Sequence, residues 1–334
     1  MTTRLLQFKN EAGERRVGLV GADQESILPL KSIATVFELA SRSLETGVAL
    51  RELVADLPKE EALDYSALLL SGHVLAPLDH PEPSRFLVTG TGLTHMGSAT
   101  ARNHMHLQTH GPDAHESDSM KIFRMGLAGG KPRKGEIGVQ PEWFFKGVGT
   151  CVVPPEGQLE LPGFALAGAE EAEIVGLYIV DREGRPRRIG FTLGNDFSDH
   201  VTEGQNYLYL AHSKLRDCSL GPELLLGELP SEIRGHTRIR RGGRVVWEEE
   251  FLFGESNMSH SIANLEHHHF RYPMFRRPGD LHAYFFGADA MSYASSVKTE
   301  PGDEFEIESA VFGKPLRNRM VAGAEASLVT VTPL

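Results

Sequence analysis

The sequence predicts an α+β fold rich in short strands, in which a small N-terminal unit precedes a larger strand-rich domain. Glycine and proline number 35 and 19 among 334 residues, which is typical of many turns between short strands. Residues 1–75 contain two predicted strands, LLQF and RVGLV, and then a helical pattern from Ser32 to Leu57. Three prolines within VLAPLDHPEPSRFLV mark a boundary, so we place the domains at 1–75 and 76–334.

Two hairpins and one long loop are predicted within the larger domain. LYIVDREGRPRRIGFTL and RIRRGGRVVWEEEF each contain two apolar or alternating runs, joined by turns at Gly184 and at Gly242 and Gly243. The segment from Thr100 to Gly138 is polar and rich in histidine, glycine and lysine. This composition predicts a long loop, and loops of that length are often functional lids.

Composition excludes several classes of function. The net charge of −11 argues against a nucleic-acid partner and against binding to an anionic membrane surface. The N-terminus, MTTRLLQF, has no apolar run of signal-peptide length, and no segment approaches the roughly 18 apolar residues of a membrane span. Cys151 and Cys218 are too few for a disulfide framework or a thiolate metal site. We therefore expect a cytoplasmic protein.

An acidic cluster precedes the apolar strand EIVGLYIV. Successive side chains of a strand face opposite ways, so Glu171 and Glu173 share one face. Asp196 follows another apolar strand, in GFTLGNDFSDH, at a turn that exposes a carboxylate at a strand end. Like charges this close need a shared proton, a basic partner or a divalent cation such as Mg²⁺, Mn²⁺ or Ca²⁺. From these residues alone, a metal site and a solvated strand edge both remain open.

The order of motifs along the chain resembles the fumarylacetoacetate hydrolase superfamily. The stretches that carry the resemblance occur in sequence: LAPLDHPEPSRFLVTGTGLTHMGSA, EAEIVGLYIV, GFTLGNDFSDH, SKLRDCSLGP, NMSHSIANLE, PGDLHAYFFGA and EPGDEFEIESAVFGKPLRN. They match that family's E-x-E, N-D-x-S and two P-G-D motifs in the same order. The resemblance covers nearly all of the chain from Val74 to Asn318.

This resemblance implies a fold, a cofactor and an assembly. It implies a β-rich catalytic domain with a mixed β-sheet roll, behind a small N-terminal α+β domain, and a homodimer or higher homo-oligomer. It implies a divalent metal, Mg²⁺ or Mn²⁺, with Ca²⁺ as an alternative, held by Glu171, Glu173 and Asp196. Lys214 matches the family's lysine near the metal, and can pair with a substrate carboxylate or an oxyanion.

Two departures from the family pattern bear on the reaction. The histidine that activates water in the hydrolases falls on Ser98 here, while His95 lies one turn earlier in the sequence. The family's T-G-T stretch, which helps to bind the substrate carboxylate, reads Phe286, Gly287 and Ala288. The sequence therefore lacks the histidine of the water-activating pair at its expected position. His95, Ser98 and Lys214 are the predicted catalytic positions.

The substitutions favour a branch of the superfamily associated with sugar-acid breakdown, which LYLAHSKLRDCSLGPEL, LEHHHFRYPMF and PEWFFKG also resemble. A 2-oxo acid can chelate a metal that acts as a Lewis acid, so that its C3 becomes electron-rich. Dehydration then needs a base at C3 and an acid at C4 rather than an activated water. His95 is the first candidate base, and His104, His106 and Glu116 are the other candidates. We expect Lys146, Lys214, Gly287 and Ala288 to bind the substrate.

The sequence therefore predicts a metal-dependent dehydratase of a 2-keto-3-deoxy sugar acid, most simply a pentonate that yields 2-oxoglutarate semialdehyde. Two alternatives stay open. The first is a hydrolase that cleaves a carbon–carbon bond of a 2,4-diketo acid such as an acylpyruvate. The second is a binding protein that keeps the metal and the 2-oxo acid site without turnover.

Overall fold

Two β-sheets and the helices around them form the part of the chain that the computed structural model describes, residues 2–110 and 117–334, with the backbone alone for residues 104–110. The strands of the larger sheet are β1 (Thr3–Lys9), β2 (Arg15–Val20), β3 (Ser26–Pro29), β4 (Leu63–Asp64), β5 (Phe86–Gly90), β6 (Phe144–Val148), β7 (Val152–Val153), β9 (Ala172–Val180), β10 (Pro186–Asn195), β11 (Cys218–Leu220), β12 (Leu224–Leu226) and β15 (Leu281–Phe285). The strands of the smaller sheet are β8 (Gln158–Leu161), β13 (Ile233–Arg241), β14 (Arg244–Phe253), β16 (Glu304–Glu308) and β17 (Leu316–Ala322). The helices are α1 (Val36–Thr46), α2 (Leu50–Asp56), α3 (Tyr65–Leu70), α4 (Met96–His110), α5 (Asp118–Gly129), α6 (His200–Gln205), α7 (Leu210–Lys214) and α8 (Ile262–Phe270). The predicted α+β fold class is confirmed.

An inner strand of the larger sheet, β9, is buried along its whole length. It pairs antiparallel with β10 on one side and with β15 on the other. Val175 and Leu177 pack in an apolar cluster on one face of the sheet, whereas Ile174 and Tyr178 pack in a second cluster on the opposite face. Because both faces are covered, the strand's register fixes which side chains reach the space at its N-terminal end.

The N-terminal strands extend the larger sheet. Strand β1 pairs antiparallel with β12, with Leu5 opposite Leu224, so the sheet continues from the first strands into the rest of the chain. The predicted helix from Ser32 to Leu57 is two helices, because Gly47 ends α1 with φ of +71°, a left-handed conformation that stops a helix. The boundary between residues 75 and 76 stays a prediction.

The prediction of a long polar loop from Thr100 to Gly138 is wrong, because this segment contains most of α4 and all of α5. The Ser117 side chain caps α5 by accepting the Met120 N–H at 3.3 Å, and Phe123 is buried against the rest of the protein. The composition was misleading because polar residues such as Arg102 are buried in α4 rather than exposed on a loop. His104 and His106 lie on α4, but their side chains are outside the described part of the structure, as is Glu116.

Both predicted hairpins are confirmed. β9 pairs with β10 and β13 pairs with β14, each antiparallel. None of the helices in the described ranges is long and apolar enough to cross a membrane.

A chain of hydrogen-bonded rings fixes α8 on the sheet. The Trp143 indole N–H donates to His269 Nδ1 at 3.2 Å, and His269 Nε2 lies 3.1 Å from His282 Nδ1. An indole nitrogen only donates, so His269 carries its proton on Nε2 and donates it to His282. Burial lowers the pKa of His269 well below its ordinary value, and lowers the pKa of His282 to about 3. Both rings are therefore neutral parts of the core.

Candidate metal centre

Three buried carboxylates meet where the β9–β10 hairpin begins and ends. Glu173 pairs with Gly194 across the two strands, and the Asp196 N–H donates to the Glu171 carbonyl at 3.0 Å. Glu171, Glu173 and Asp196 each offer one carboxylate oxygen, and these atoms all lie within 4.8 Å of one another. The strand's alternation thus brings the first two carboxylates together, as predicted, and the chain returns with the third. We call these three residues the carboxylate cluster.

Two buried lysines neutralise part of this charge. Lys214, at the end of α7, donates to Glu171, to Asp196 Oδ2 at 2.7 Å and to Ser198 Oγ at 3.0 Å. Lys146 Nζ, on β6, lies 2.6 Å from Asp196 Oδ1, close enough for an ion pair although not aligned for a hydrogen bond. Both lysines predicted from the sequence therefore lie at the carboxylate cluster.

The charges divide unequally within the cluster. Burial alone would raise the pKa of Glu171, but Lys214 and then His200 lower it below its ordinary value. Burial, reinforced by the charges of Asp196 and Glu171, raises the pKa of Glu173 well above its ordinary value. Burial disfavours the charge of Lys214, yet Asp196 and Glu171 raise its pKa. Glu173 is therefore the carboxylate of the cluster that neighbouring positive charges stabilise least.

One oxygen of the cluster accepts no hydrogen bond and forms no ion pair among the described residues. The Gly287 N–H donates to Glu173 Oε2 at 2.6 Å, whereas the buried Glu173 Oε1 accepts no hydrogen bond from the described residues. A buried carboxylate oxygen without a donor is costly unless a cation or water meets it. When all three carboxyl groups are ionised, the two neighbouring ammonium groups of the described residues leave one negative charge uncompensated, and burial together with this excess charge is why the pKa of Glu173 is raised without a cation. Hard oxygen ligands with excess negative charge fit a divalent metal site.

A histidine that the sequence reasoning passed over contacts the cluster. His200 Nε2 lies 3.0 Å from Glu171 Oε1, and the ring stacks on Tyr293 with 5.1 Å between the ring centroids. His200 is the first residue of α6, and the side chain of Asp199 caps this helix by accepting the Thr202 N–H. His200 is the last residue of the motif GFTLGNDFSDH, which also contains Asp196. This position was the signal in the sequence that could have identified His200 as a site residue.

A second group of buried charges includes another residue of α6. Arg102 Nη1 donates to Glu142 Oε2 at 2.6 Å, and Arg102 Nε lies 2.7 Å from Glu203 Oε1. The Tyr207 hydroxyl also donates to Glu142 Oε2, at 3.3 Å, whereas Glu142 Oε1 has no partner among the described residues. Glu203 and His200 lie three residues apart on one side of the helix, which joins this group to the carboxylate cluster.

His95 is buried, and among the described residues its ring makes no hydrogen bond to the carboxylate cluster. Thr94 Oγ1 donates its one proton to the Phe286 carbonyl at 2.6 Å, so it accepts from His95 Nδ1, which is 2.9 Å away. This leaves His95 Nε2 unprotonated, and no described residue donates to it. Burial, and then the charge of Lys131, lowers the pKa of His95 to about 3. The ring can accept a hydrogen bond but is a weak base.

The other predicted site residues have structural contacts. Ser98 Oγ donates to the His95 carbonyl at 3.0 Å, within the first turn of α4. Gly287 has φ of +91°, and a Cβ added there would lie 2.2 Å from Thr94 Oγ1. Ala288 is buried. Their roles in catalysis and in binding of the substrate stay predictions.

One sequence relative and several solved structures are similar to the chain. No protein-family model matches it. A probable 2-keto-3-deoxyxylonate dehydratase of Haloferax volcanii is 35% identical over 115 residues, which are 33% of this chain. The chain covers 38% of that relative's length.

The structural likeness extends over almost the whole chain. The apo form of 2-keto-3-deoxy-D-arabinonate dehydratase matches 96% of this chain and 99% of its own, with a TM-score of 0.70 and 18% identity. The same dehydratase complexed with magnesium and 2,5-dioxopentanoate matches with a TM-score of 0.70, also at 18% identity and over the same shares of both chains. A 5-carboxymethyl-2-hydroxymuconate delta-isomerase of Mycobacterium smegmatis matches 96% of this chain and 100% of its own, with a TM-score of 0.56 and 16% identity. The chain therefore has the fold that these dehydratase and isomerase structures share.

Proposed function

We propose that this protein is a divalent-metal-dependent dehydratase of a 2-keto-3-deoxy sugar acid, a pentonate, and that it releases 2-oxoglutarate semialdehyde. The observation that carries the proposal is the carboxylate cluster, which has two lysines beside it and one buried oxygen that forms neither a hydrogen bond nor an ion pair with any described residue. The names of the Haloferax volcanii relative and of the dehydratase structures support the substrate class. The 2,5-dioxopentanoate bound to one of those structures is the semialdehyde of 2-oxoglutarate.

Glu171, Glu173 and Asp196 would hold the ion, and we propose Mg²⁺, with Mn²⁺ and Ca²⁺ as alternatives. When bound, the ion supplies Lewis acidity to the carboxylate and C2 carbonyl of the substrate. Lys214 and Lys146 hold the carboxylates in place and offset the negative charge of an acid substrate. We further propose a homodimer or higher homo-oligomer, which the family resemblance implies. We propose a cytoplasmic location because both cysteines are free, as is usual in a reducing compartment.

Dehydration removes one proton from C3 and hydroxide from C4, and the hydroxide leaves as water after it gains a proton. The resulting enone becomes the semialdehyde when C5 and its hydroxyl each lose a proton and C3 and C4 each gain one, so the site must supply a proton acceptor and a proton donor. His95 offers an unprotonated Nε2, but burial makes its ring a weak base. Glu142 offers a buried carboxylate oxygen that has no hydrogen-bond partner in the described part of the chain, while Arg102 and Tyr207 hold its other oxygen. We therefore propose Glu142 as an acceptor that the sequence reasoning missed, beside the predicted His95.

The proposal is tested by identifying products. Purified protein with Mg²⁺ is incubated with L- or D-2-keto-3-deoxypentonate and separately with an acylpyruvate, and the products are identified by mass spectrometry. Loss of one water and formation of the semialdehyde is the expected result. Pyruvate from the acylpyruvate, without dehydration, would establish the hydrolase instead. Binding of Mg²⁺ and oxalate without turnover of any 2-oxo acid would establish the binding protein.

Two matched variants then decide between the proton acceptors. Glu142→Gln keeps the hydrogen bonds to Arg102 and Tyr207 at the amide oxygen but removes the basic carboxylate. We expect it to lower kcat by about 10²-fold or more, the usual contribution of a general base, with little change in KM. His95→Asn should change kcat by less than about tenfold if the ring is only a hydrogen-bond acceptor. The reverse order of effects would assign the base to His95.

A further inference from the structure

The fold brings its two cysteines side by side, although 66 residues separate them in the sequence. Cys218 opens β11, which pairs in parallel with β7 so that Cys218 lies opposite Val152. Cys151 directly precedes Val152, and both cysteines pack in the same apolar cluster. Cys151 is the last residue of the 3-10 turn Gly149–Cys151 that leads into β7, and its side chain is hydrogen-bonded to that of Cys218. The two side chains are therefore direct neighbours, as formation of a disulfide requires.

The two thiols differ in access and in acidity. Cys151 is half-buried and Cys218 is buried. A hydrogen bond from the Cys218 thiol lowers the pKa of Cys151, and Lys146 adds to this effect against the influence of burial. Burial raises the pKa of Cys218 well above its ordinary value. Cys151 is therefore the thiol that an oxidant in solution meets first, with Cys218 next to it.

We propose that Cys151 and Cys218 form a reversible disulfide when the protein meets a hydroperoxide, and that this disulfide weakens metal binding at the carboxylate cluster. The Cys151 sulfur attacks the peroxide, breaks its O–O bond and becomes a sulfenic acid, while the alcohol or water leaves with a proton. The Cys218 sulfur then attacks the Cys151 sulfur, the S–O bond breaks, and water leaves with the Cys218 proton. Two thiols are oxidised to one disulfide, and the peroxide is reduced.

The coupling to the cluster follows from the two chain segments involved. Cys151 follows β6, which carries Lys146, and Cys218 lies four residues after Lys214. A disulfide would tie these two segments to each other and restrict how each positions its lysine, and both lysines hold carboxylates of the cluster. We expect oxidation to weaken metal binding about fivefold or more, at the lower end of ordinary coupling between sites. This part of the inference rests on the proposed metal site, whereas disulfide formation does not.

The first experiment follows the thiols of the full-length protein. After treatment with hydrogen peroxide, wild-type protein should lose both titratable thiols, become two hydrogen atoms lighter by mass spectrometry, and recover both thiols with dithiothreitol. Cys218→Ser should stop at a sulfenic acid that dimedone traps, and Cys151→Ser should keep its buried thiol. Two free thiols after treatment, a disulfide between two molecules, or irreversible oxidation of Cys151 in wild type would each overturn the inference.

The second experiment measures Mn²⁺ affinity by calorimetry in reduced and oxidised wild type, with peroxide-treated Cys151→Ser as the control. Weaker binding by about fivefold or more in the oxidised protein, with no change in the control, is the expected result. Equal affinity in both forms would overturn the coupling alone. No Mn²⁺ binding by the reduced protein would instead overturn the proposed metal site.

Discussion

Replacing Lys214 by methionine tests how far the stability of the fold depends on the charge balance of the carboxylate cluster. The buried ammonium group donates to Glu171, to Asp196 Oδ2 at 2.7 Å and to Ser198 Oγ at 3.0 Å. Methionine keeps most of the volume of the side chain but donates nothing. Removing one partner of a buried ion pair costs about 3–5 kcal/mol, because the remaining charges stay buried and unpaired. We therefore expect the free energy of unfolding to fall by that amount.

The assay is urea unfolding at pH 7 with EDTA and again with saturating Mg²⁺. Mg²⁺ should recover part of the loss, since a cation replaces the missing positive charge and binds only the native state. Lys314→Met is the matched control, because Lys314 Nζ lies 2.7 Å from the exposed Glu25 and such pairs contribute at most about 1 kcal/mol. The reasoning fails if Lys214→Met is as stable as Lys314→Met in EDTA.

Two further substitutions test the buried rings and the glycine at the cluster. The free energy of unfolding of the wild type should fall between pH 7 and pH 5. In His282→Asn this fall should be smaller by about 2 kcal/mol, as measured by urea unfolding at both pH values. The native pKa of about 3 lies below the ordinary 6.5, so only the unfolded ring gains a proton as the pH falls through 6.5. An unchanged pH dependence would mean that the native ring is protonated. Gly287→Ala should lower the free energy of unfolding by about 2–4 kcal/mol, and Gly47→Ala should lower it by about 1 kcal/mol, both measured by urea unfolding. Both have positive φ, but only at Gly287 does the added Cβ meet an atom, Thr94 Oγ1, and equal costs would contradict this account.

The carboxylate cluster could be predicted because its geometry depends on local rules. Alternation along one strand sets Glu171 and Glu173 on the same face, and a hairpin of adjacent strands returns the chain to Asp196. Hairpins join residues that are close in sequence, so turn residues and strand patterns are enough to find them. The positions of Lys214 and Lys146 came from the family resemblance, since no periodic pattern relates them to the carboxylates.

The second group of charges could not be predicted because it depends on long-range packing. Arg102 and Glu142 are 40 residues apart, and Glu203 comes from a third element of the chain. The polar segment that contains Arg102 was expected to be a loop, whereas it forms α4 and holds that side chain in the interior. The pairing of Cys151 with Cys218 likewise depends on which strands meet, which composition does not determine.

The central claim is that the carboxylate cluster binds a divalent metal, and Mn²⁺ titration followed by electron paramagnetic resonance tests it most directly. The comparison is between wild type, Glu173→Gln and the surface control Glu25→Gln. Glutamine at position 173 still accepts the Gly287 N–H but removes the free carboxylate oxygen. The account predicts one bound Mn²⁺ per chain in wild type and in the control, and binding weaker by about a hundredfold or more in Glu173→Gln. Equal Mn²⁺ affinity in all three proteins would contradict it.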